Sequence, residues 1–256
     1  MIHYHNGTYS REPVPLDPAA PAFRYGAGFF ETICYNGKKI CHLHTHLDRL
    51  LHSLRAYRIT HETIDFEPVI QQVLNRNGLE GAPARINIFY PIENPEAHPI
   101  VMAVPYEPKP YKAFRVCLCK DRHVSTLNSV KTTSYMFFYL ALKQARARGF
   151  DDAALTDFDN SLLETTTGAI LLEKDGDFVE MDTRFKLPST SLSLARRVLD
   201  IIPRTVTIDD LPQYRHAYLL NSMIGMRPIV AIGETAFVPD EEACRKVSEL
   251  VLEEEI

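Results

Sequence analysis

One lysine stands immediately ahead of a strongly apolar segment in the second half of the chain. Lys131 lies in the stretch NSVKTTSYMFFYLALKQARARGF, and a later strand-like stretch, SLLETTT, ends on Glu164 and three threonines. A cation near a helix start opposes the helix dipole, so a solvated helix end explains Lys131 poorly. Lysine becomes a nucleophile when burial or neighbouring cations lower its pKa, and it then forms Schiff bases with carbonyl compounds. Lys131 is therefore a candidate catalytic residue.

The carbonyl compound could be a substrate or the aldehyde of pyridoxal phosphate. An enzyme of the second kind needs three groups besides the lysine. They are an acid facing the pyridine nitrogen, an arginine with hydroxyls or backbone amides for the phosphate, and a hydroxyl donor to the ring oxygen.

Bulk composition excludes several other classes of protein. The 256 residues are 45% hydrophobic and 24% charged, which is enough for one large or two modest domains with cores. A net charge of -5 and the lack of a basic block make nucleic acid an unexpected partner. No leader-like start and no run of ~18 apolar residues is present, so we expect a cytoplasmic protein without a membrane segment. The five cysteines are expected to be reduced and mostly buried.

A histidine cluster offers a competing chemistry. In CHLHTHLDRLLHS, His42, His44 and His46 alternate, and alternation along a strand would place three imidazoles on one face. A structural zinc site also needs a closed tetrahedral ligand set and ordered outer partners. Half-exposed histidines along a hairpin edge and a helix start explain the pattern more simply, so no metal is expected. P-loop, G-x-G-x-x-G, H-E-x-x-H and C-x-x-C motifs are absent from the sequence.

Periodicity predicts a mixture of helices and strands. The strands FFETICY and KKICHL flank Asn36-Gly37, a dipeptide suited to a type I′ hairpin turn. Later strands are expected at RINIFYP, PIVMAVPYEP, FRVCLCK, DDAALTD, SLLETT, AILLEKD and DFVEMD, the last two joined across Asp175-Gly176. Apolar stripes, caps and stops predict helices from about 45, over 65–77, after Lys131, over about 192–202, and from 240 toward the C-terminus.

The predicted elements form an α+β chain of two domains. The Pro-rich stretch PYEPKPYKAF, at 105–114, is the best candidate for the connection between them. The sequence therefore predicts a small α+β domain over 1–108. A larger α+β domain over 109–256 would carry Lys131, with an active site at the domain interface.

Six segments, in order across nearly the whole chain, resemble the class IV aminotransferases, the fold-type IV pyridoxal-phosphate family that includes D-amino-acid aminotransferases. They are YHNGTYS, FRYGAGFFETI, HLDRLLHSL, VKTTSYMFFYLALKQARARGFDDAALTD, LLETT and TIDDLPQYRHAYLLNSMIGMRPI. The resemblance implies the fold of that family, pyridoxal 5′-phosphate as the cofactor, and a homodimer.

The resemblance also implies a role for individual residues. Lys131 would be the Schiff-base lysine and Glu164 the acid at the pyridine nitrogen. Arg49 would bind the phosphate through its planar guanidinium, although a surface helix arginine is the simpler alternative. The remaining residues implied at the cofactor are Tyr135, which could donate to the ring oxygen, Thr167 and Ser222. The residues assigned to the substrate are Tyr25, Asn221 and Arg227.

Two departures from the family pattern concern the cofactor phosphate. Relatives carry an asparagine five residues after the acid, where this chain has Ala169. They also open the next helix with G-I-T-R, whose threonine binds phosphate, whereas this chain reads STSLSLARRVL. Alignment by apolar phase places Leu194 at the threonine, so Ser193 or the helix amides would have to serve.

The reaction within the family is set by where the proton goes after Cα deprotonation. NSMIGMRP resembles aminodeoxychorismate lyases, and Thr32 matches a lyase threonine that could protonate the leaving fragment. The sequence thus favours a 4-amino-4-deoxychorismate lyase that releases 4-aminobenzoate and pyruvate for folate synthesis. The alternative is a branched-chain or D-amino-acid aminotransferase that uses 2-oxoglutarate. A third hypothesis, a binding protein that has lost catalysis, conflicts with the joint presence of Lys131, Glu164 and Arg49.

Overall fold

The computed structural model describes residues 1–108 and 110–253. These residues form two compact units, which are described separately below. The first unit contains residues 1–108 and 130–135, and the second contains the rest of the described chain. The expected connection at 105–114 spans the change of unit at Pro108, and one of its residues, 109, lies outside the described residues.

The segment that carries Lys131 belongs to the first unit, whereas the sequence assigned it to the domain 109–256. Backbone hydrogen bonds are the reason. The N–H of Phe30 donates to the carbonyl of Lys131, and the N–H of Thr133 donates to the carbonyl of Gly28, both at 2.9 Å. Sequence position could not reveal this pairing, because the partners lie about a hundred residues apart.

In the first unit, helices pack on an antiparallel sheet of five strands, counted over the described residues. Its elements in chain order are β1 (His3–His5), β2 (Thr8–Ser10), α1 (Pro21–Tyr25), β3 (Gly28–Tyr35), α2 (Leu43–Ala56), α3 (Phe66–Arg76), β4 (Ala84–Pro91) and β5 (Ile100–Pro105). The strand order is β2-β1-β5-β4-β3. Leu50 and Leu54 of the predicted leucine stripe are buried in the core that α2 forms with the sheet. Burial of each such side chain contributes roughly 1.5–3 kcal/mol.

The hairpin expected around Asn36-Gly37 is largely absent, and this prediction was wrong. The partner of β3 is β4, paired from Gly28↔Pro91 to Tyr35↔Ala84, and KKICHL contributes only an isolated bridge at Ile40. The Asn36 side chain closes the turn by accepting hydrogen bonds from backbone N–H groups. The chain then enters α2 at Leu43, because the leucine stripe gives the helix an apolar face to bury.

The second unit is built on a mixed sheet. Its elements are β6 (Phe114–Leu118), α4 (Met136–Ala147), β7 (Asp152–Thr156), β8 (Leu162–Thr165), β9 (Ala169–Lys174), β10 (Asp177–Met181), α5 (Thr190–Ala195), β11 (Ile201–Arg204), β12 (His216–Asn221), β13 (Gly225–Ile232), β14 (Thr235–Ala236) and α6 (Glu241–Leu252). The strand order is β11-β10-β9-β12-β13-β6-β7-β8, with β14 paired to β13. The strand pairs β6–β7, β6–β13 and β10–β11 are parallel.

Local signals located several of these elements. The Asp175-Gly176 turn joins β9 to β10, and both residues have positive φ. Asp240 caps α6 by accepting from the N–H of Ala243, as predicted, while residues 254–256 lie outside the described residues. The helix expected over about 192–202 was placed wrongly. It runs from Thr190 to Ala195, and Ile201–Arg204, with Pro203, forms β11 instead.

Candidate active site

In the first unit, the side chain of Lys131 lies among aromatic rings. Its Nζ is 4.6 Å from the ring centroid of Phe30 and 5.9 Å from that of Tyr135. The two rings meet edge to face at 5.6 Å. Lys131 and Tyr135, two residues predicted at the cofactor, are therefore close together, and Phe30 lines the same place.

The strand that carries Phe30 also supplies a buried carboxylate. Glu31 is fully buried, and its two oxygens accept from Nε and Nη2 of Arg49, both at 2.7 Å. This two-point salt bridge fixes the plane of the guanidinium. Arg49, predicted to bind phosphate, is thus an oriented and mostly buried residue rather than a surface one. Sequence reasoning missed Glu31, although it stands in the FFET motif.

His46 completes this cluster. Its Nδ1 lies 2.7 Å from a carboxylate oxygen of Glu31. Burial lowers the pKa of His46, and the nearby cations of Arg49 and Lys131 add to the effect, so the ring is neutral and Nδ1–H donates to Glu31. Burial also disfavours the Glu31 carboxylate. The Arg49 charge and the hydrogen bonds from His46 and Arg49 nevertheless lower the pKa of Glu31 to about 2.

The structure also bears on whether the histidine cluster could bind a metal. The start of α2 at Leu43 removes the strand on which the three histidines were to alternate. Within residues 1–108 and 110–253, no group of three or more histidine, cysteine, aspartate or glutamate side chains could hold a metal ion.

Two further residues predicted in the first unit have different environments. The hydroxyl of Thr32 accepts from Nδ2 of Asn87, its cross-strand partner on β4, at 2.8 Å. Tyr25, assigned to the substrate, ends α1 with 63% of its surface exposed, and the guanidinium of Arg24 lies over its ring. Its carbonyl accepts from the hydroxyl of Ser134, which ties the end of α1 to the Lys131 segment.

In the second unit, Glu164 lies buried at the end of β8. Its two oxygens lie 3.3 and 3.4 Å from the N–H of Leu187, which donates to the carboxylate. Leu187 belongs to the extended segment that leads into α5. This hydrogen bond therefore links the predicted acid to the start of the helix that was expected to hold phosphate.

The start of α5 differs from the alignment made by sequence. Ser189 is the N-cap and accepts from the N–H of Leu192, so the helix begins at Thr190 and Leu194 is buried in the core. The hydroxyl of Ser193 donates to the carbonyl of Thr190. Earlier in the helix, Ser191 is 1% exposed, and its hydroxyl has no hydrogen-bond partner among the described residues.

A buried hydroxyl without a partner costs about 1–3 kcal/mol, so Ser191 is the notable polar group of this region. Sequence reasoning missed it because the apolar phase was followed in place of the Pro188-Ser189 start signal. A proline followed by a serine cap marks a helix beginning. That signal places Ser191 in the first turn.

Two neighbouring turns hold the other residues predicted in the second unit. The hydroxyl of Thr167 donates to buried Asp152 at 2.5 Å, and the carbonyl of Thr167 accepts from Nδ2 of Asn221 at 3.2 Å. Burial raises the pKa of Asp152, and the threonine hydroxyls that donate to it oppose that effect. Asn221, assigned to the substrate, also accepts from two backbone N–H groups of the next turn through its Oδ1, which holds the loop that carries Ser222.

Arg227, the last of the residues assigned to the substrate, lies on β13. Its guanidinium donates to the hydroxyl of Ser248 at 3.3 Å and lies 5.0 Å from the ring centroid of Tyr111. These contacts are with α6 and the start of the second unit. Packing within the second unit therefore explains the position of the Arg227 side chain.

The donor set suits pyridoxal phosphate. The first unit has an oriented guanidinium and a lysine beside a tyrosine, which suit its phosphate and aldehyde. The second unit has a buried carboxylate and a buried hydroxyl without a partner among the described residues, which suit its pyridine nitrogen and phosphate.

Comparison with known proteins agrees with this chemistry. Residues 28–232 match the family described as amino-transferase class IV. The chain belongs to this family, and it is an enzyme. Members of the family use pyridoxal phosphate, which confirms the cofactor expected from the sequence. No curated protein matches the sequence.

Solved structures show the same fold at low sequence identity. The chain is similar to the branched-chain aminotransferase of Thermoproteus uzoniensis, with a TM-score of 0.87 and 20% identity over 100% of this chain and 96% of the other. The branched-chain amino acid aminotransferase of T.th., complexed with N-(5′-phosphopyridoxyl)-L-glutamate, gives 0.86 and 19%, over 99% and 95%. The Escherichia coli branched-chain enzyme gives 0.83 and 16%, over 97% and 92%. The predicted α+β fold of the fold-type IV enzymes is confirmed.

Proposed function

We propose that this enzyme is a pyridoxal-phosphate-dependent aminotransferase that moves the amino group of an amino acid to a 2-oxo acid. One observation carries the proposal. Glu164 accepts a hydrogen bond from the N–H of Leu187. Four residues later in the chain, the hydroxyl of Ser191 is buried and has no hydrogen-bond partner among the described residues. A hydrogen bond thus joins the acid to the segment that carries the hydroxyl, and an acid and a hydroxyl are the groups that the two ends of this cofactor need.

Each remaining residue has a role that follows from its chemistry. When bound, pyridoxal phosphate supplies an aldehyde for amines and a ring that takes up the electrons of a broken Cα–H bond. Lys131 holds the cofactor covalently and moves the proton from Cα. Glu164 keeps the ring nitrogen protonated. Tyr135 donates to the ring oxygen.

The phosphate carries the largest charge of the cofactor. Arg49 binds it, in the plane that Glu31 sets, and Ser191 donates to it through the hydroxyl that is otherwise unpaired. Ser222 would be a further donor, and Thr167, whose hydroxyl donates to Asp152, would support it through the adjacent turn. The amino-acid class is drawn from the fold neighbours, which are branched-chain aminotransferases.

Aminodeoxychorismate lyase is the second candidate, and Thr32 favours it. Thr32 matches a lyase threonine whose hydroxyl could protonate a leaving fragment, and the Asn87 amide donates to its oxygen at 2.8 Å. The motif NSMIGMRP points the same way. The solved structures described above are branched-chain aminotransferases, so the aminotransferase comes first.

Turnover with and without an acceptor separates the two reactions. An aminotransferase given leucine or D-alanine should stop after one turnover until 2-oxoglutarate is added to remove the amino group. A lyase given aminodeoxychorismate should release 4-aminobenzoate and pyruvate repeatedly with no acceptor. Repeated turnover of that kind would replace the aminotransferase proposal with the lyase.

We also propose a homodimer. On α4, Met136, Tyr139 and Leu140 are 68%, 57% and 42% exposed and lie on one helical face at spacings of three and four residues. A second copy of the chain would remove this apolar stripe from water.

None of the helices within the described residues is long and apolar enough to cross a membrane.

A further inference from the structure

A cavity of about 490 Å³ lies on one face of α5 in the second unit. Ser189, Leu192, Ser193 and Arg196 line it, at positions i, i+3, i+4 and i+7. Ser191 lies on another face of the same helix, where it is buried. The cavity is therefore separate from the hydroxyl proposed to hold the cofactor phosphate.

In the segment before α5, alternate residues face the cavity and Glu164. Lys186 and Pro188 line the cavity, whereas the N–H of Leu187, between them, donates to Glu164. The cavity and Glu164 thus contact the same backbone segment through different residues.

The lining is strongly cationic. Arg184, Lys186 and Arg196 contribute three positive charges, against the single carboxylate of Glu180, among the residues that line the cavity. The chain as a whole carries a net charge of -5, so this positive surface is local. Most of the remaining accessible wall is apolar, although threonine and serine residues are among those that line it.

Two of the three cations are held in place by the one carboxylate. Arg196 donates to one oxygen of Glu180 at 2.5 Å, and Nζ of Lys186 lies 3.5 Å from the other. Arg196 also donates to the carbonyl of Ile201 at 2.8 Å. The Lys186 side chain is only 12% exposed. The third cation, the guanidinium of Arg184, lies 4.9 Å from the ring centroid of Phe185. Arg196 and Lys186 are therefore held in position before any ligand arrives.

We propose that this cavity binds a small dianion that carries a phosphate group. Planar guanidinium groups and a lysine are the side chains that proteins use for phosphate. Burial lowers the pKa of the Lys186 ammonium, against the pull of the Glu180 and Glu164 carboxylates. Glu180 is shared with Arg196, so a bound anion would add negative charge beside this cation. The volume falls in the ~300–1,000 Å³ range of small-molecule sites, so a phosphorylated metabolite fits.

Isothermal titration with inorganic phosphate at constant ionic strength tests the proposal. The protein is first saturated with pyridoxal phosphate, so that the cofactor's phosphate site is filled, and a parallel titration omits the cofactor. We expect saturable binding to one site in the loaded protein, and in the parallel titration binding to this site as well as to the empty phosphate site of the cofactor. Lys186→Gln and Arg184→Gln should each weaken binding to the cavity about tenfold, the value of one charged hydrogen bond. Lys143→Gln, a matched charge removal at an exposed position of α4 outside the cavity, should leave it unchanged.

Several results would overturn the proposal. Phosphate binding that vanishes once the cofactor is bound would assign the ion to the cofactor site. An equal loss in Lys143→Gln would show unspecific attraction, and malonate that binds as tightly as phosphate would exclude a phosphate-specific site. Arg184 is exposed, so its variant should fold normally and keeps the test valid if Lys186→Gln is unstable. A failure to bind cofactor, measured by equilibrium dialysis with pyridoxal phosphate, would be seen separately and would count against the proposed function alone.

Discussion

At the scale of single residues, the cluster of Glu31, His46 and Arg49 organises the first unit's part of the proposed site. A buried carboxylate is tolerated there because a guanidinium and an imidazole together satisfy its two oxygens. The same bonds hold Arg49 in one orientation. We therefore propose that Glu31 is a positioning residue, which would act on the cofactor only through Arg49.

Glu31→Gln should destabilise the protein by about 3 kcal/mol, because it leaves the mostly buried Arg49 charge without a counter-charge. Urea unfolding of the variant and the parent measures this. Cofactor affinity should fall as well, since Arg49 loses its orientation. Glu12→Gln, a change at an exposed position of the same unit, is the control and should alter neither quantity.

The acid stability of the parent follows from the same cluster. The pKa of Glu31 falls from 4.5 to about 2 on folding, and that of His46 also falls, from 6.5. Both groups bind fewer protons in the folded state, so their stabilisation is present above the unfolded pKa and is lost as the pH falls. Stability should decline from about pH 6.5 downward, and again between 4.5 and 2. Glu31→Gln should lack the second decline, and a parallel decline in both proteins would contradict this assignment.

Lys131→Ala should abolish covalent attachment of the cofactor and lower turnover by at least ~10²–10⁴-fold, since both the amine and the proton carrier are lost. Mass spectrometry after borohydride reduction detects the attachment. Lys143→Ala, an exposed lysine of α4, should retain the mass of the reduced adduct. An adduct that persists in Lys131→Ala would show that another lysine is the nucleophile.

At the scale of elements, the start of α5 and the end of β8 are joined by one hydrogen bond, from Leu187 to Glu164. The helix cap Ser189 sets which residue of the next turn faces inward, and that residue is Ser191. A shift of the helix start by two residues would bury a different side chain. We therefore propose that the cap determines which hydroxyl donates to the phosphate.

Ser191→Ala should have opposite effects on two quantities. Without cofactor, removal of a buried hydroxyl that lacks a partner should stabilise the protein by about 1 kcal/mol. Cofactor affinity should nevertheless fall about tenfold, because a hydrogen bond to phosphate is lost. Thermal melts and equilibrium dialysis measure the two.

Ser193→Ala is the matched control for that change. The Ser193 hydroxyl donates to the carbonyl of Thr190 within the helix. We therefore expect Ser193→Ala neither to stabilise the cofactor-free protein nor to lower its affinity for the cofactor. A cofactor affinity that drops in Ser193→Ala and not in Ser191→Ala would restore the alignment made by sequence.

At the scale of the whole molecule, the exposed apolar stripe on α4 is the feature that a single chain does not explain. Light scattering at assay concentration should give the mass of a dimer. Tyr139→Glu should shift the measured mass toward that of a monomer, because it places a charge in the stripe that the dimer would bury. Gln144→Glu, an exposed position of the same helix, adds the same charge and should remain dimeric. An active monomer of the parent would refute the dimer.

The sequence by itself determined the family, the α+β fold, the cofactor and most element positions. Such features depend on short-range signals, including the leucine stripe of α2, the Asp240 cap and the Asp175-Gly176 turn, which act over a few residues. Tertiary structure decided the rest. The pairing of β3 with β4 displaced a local hairpin, and the Lys131 segment joined the first unit through hydrogen bonds to β3. Glu31 gained its importance from Arg49 and His46, a helix away, and Ser191 from burial. Burial and long-range partners depend on the packed chain, so no local pattern encodes them.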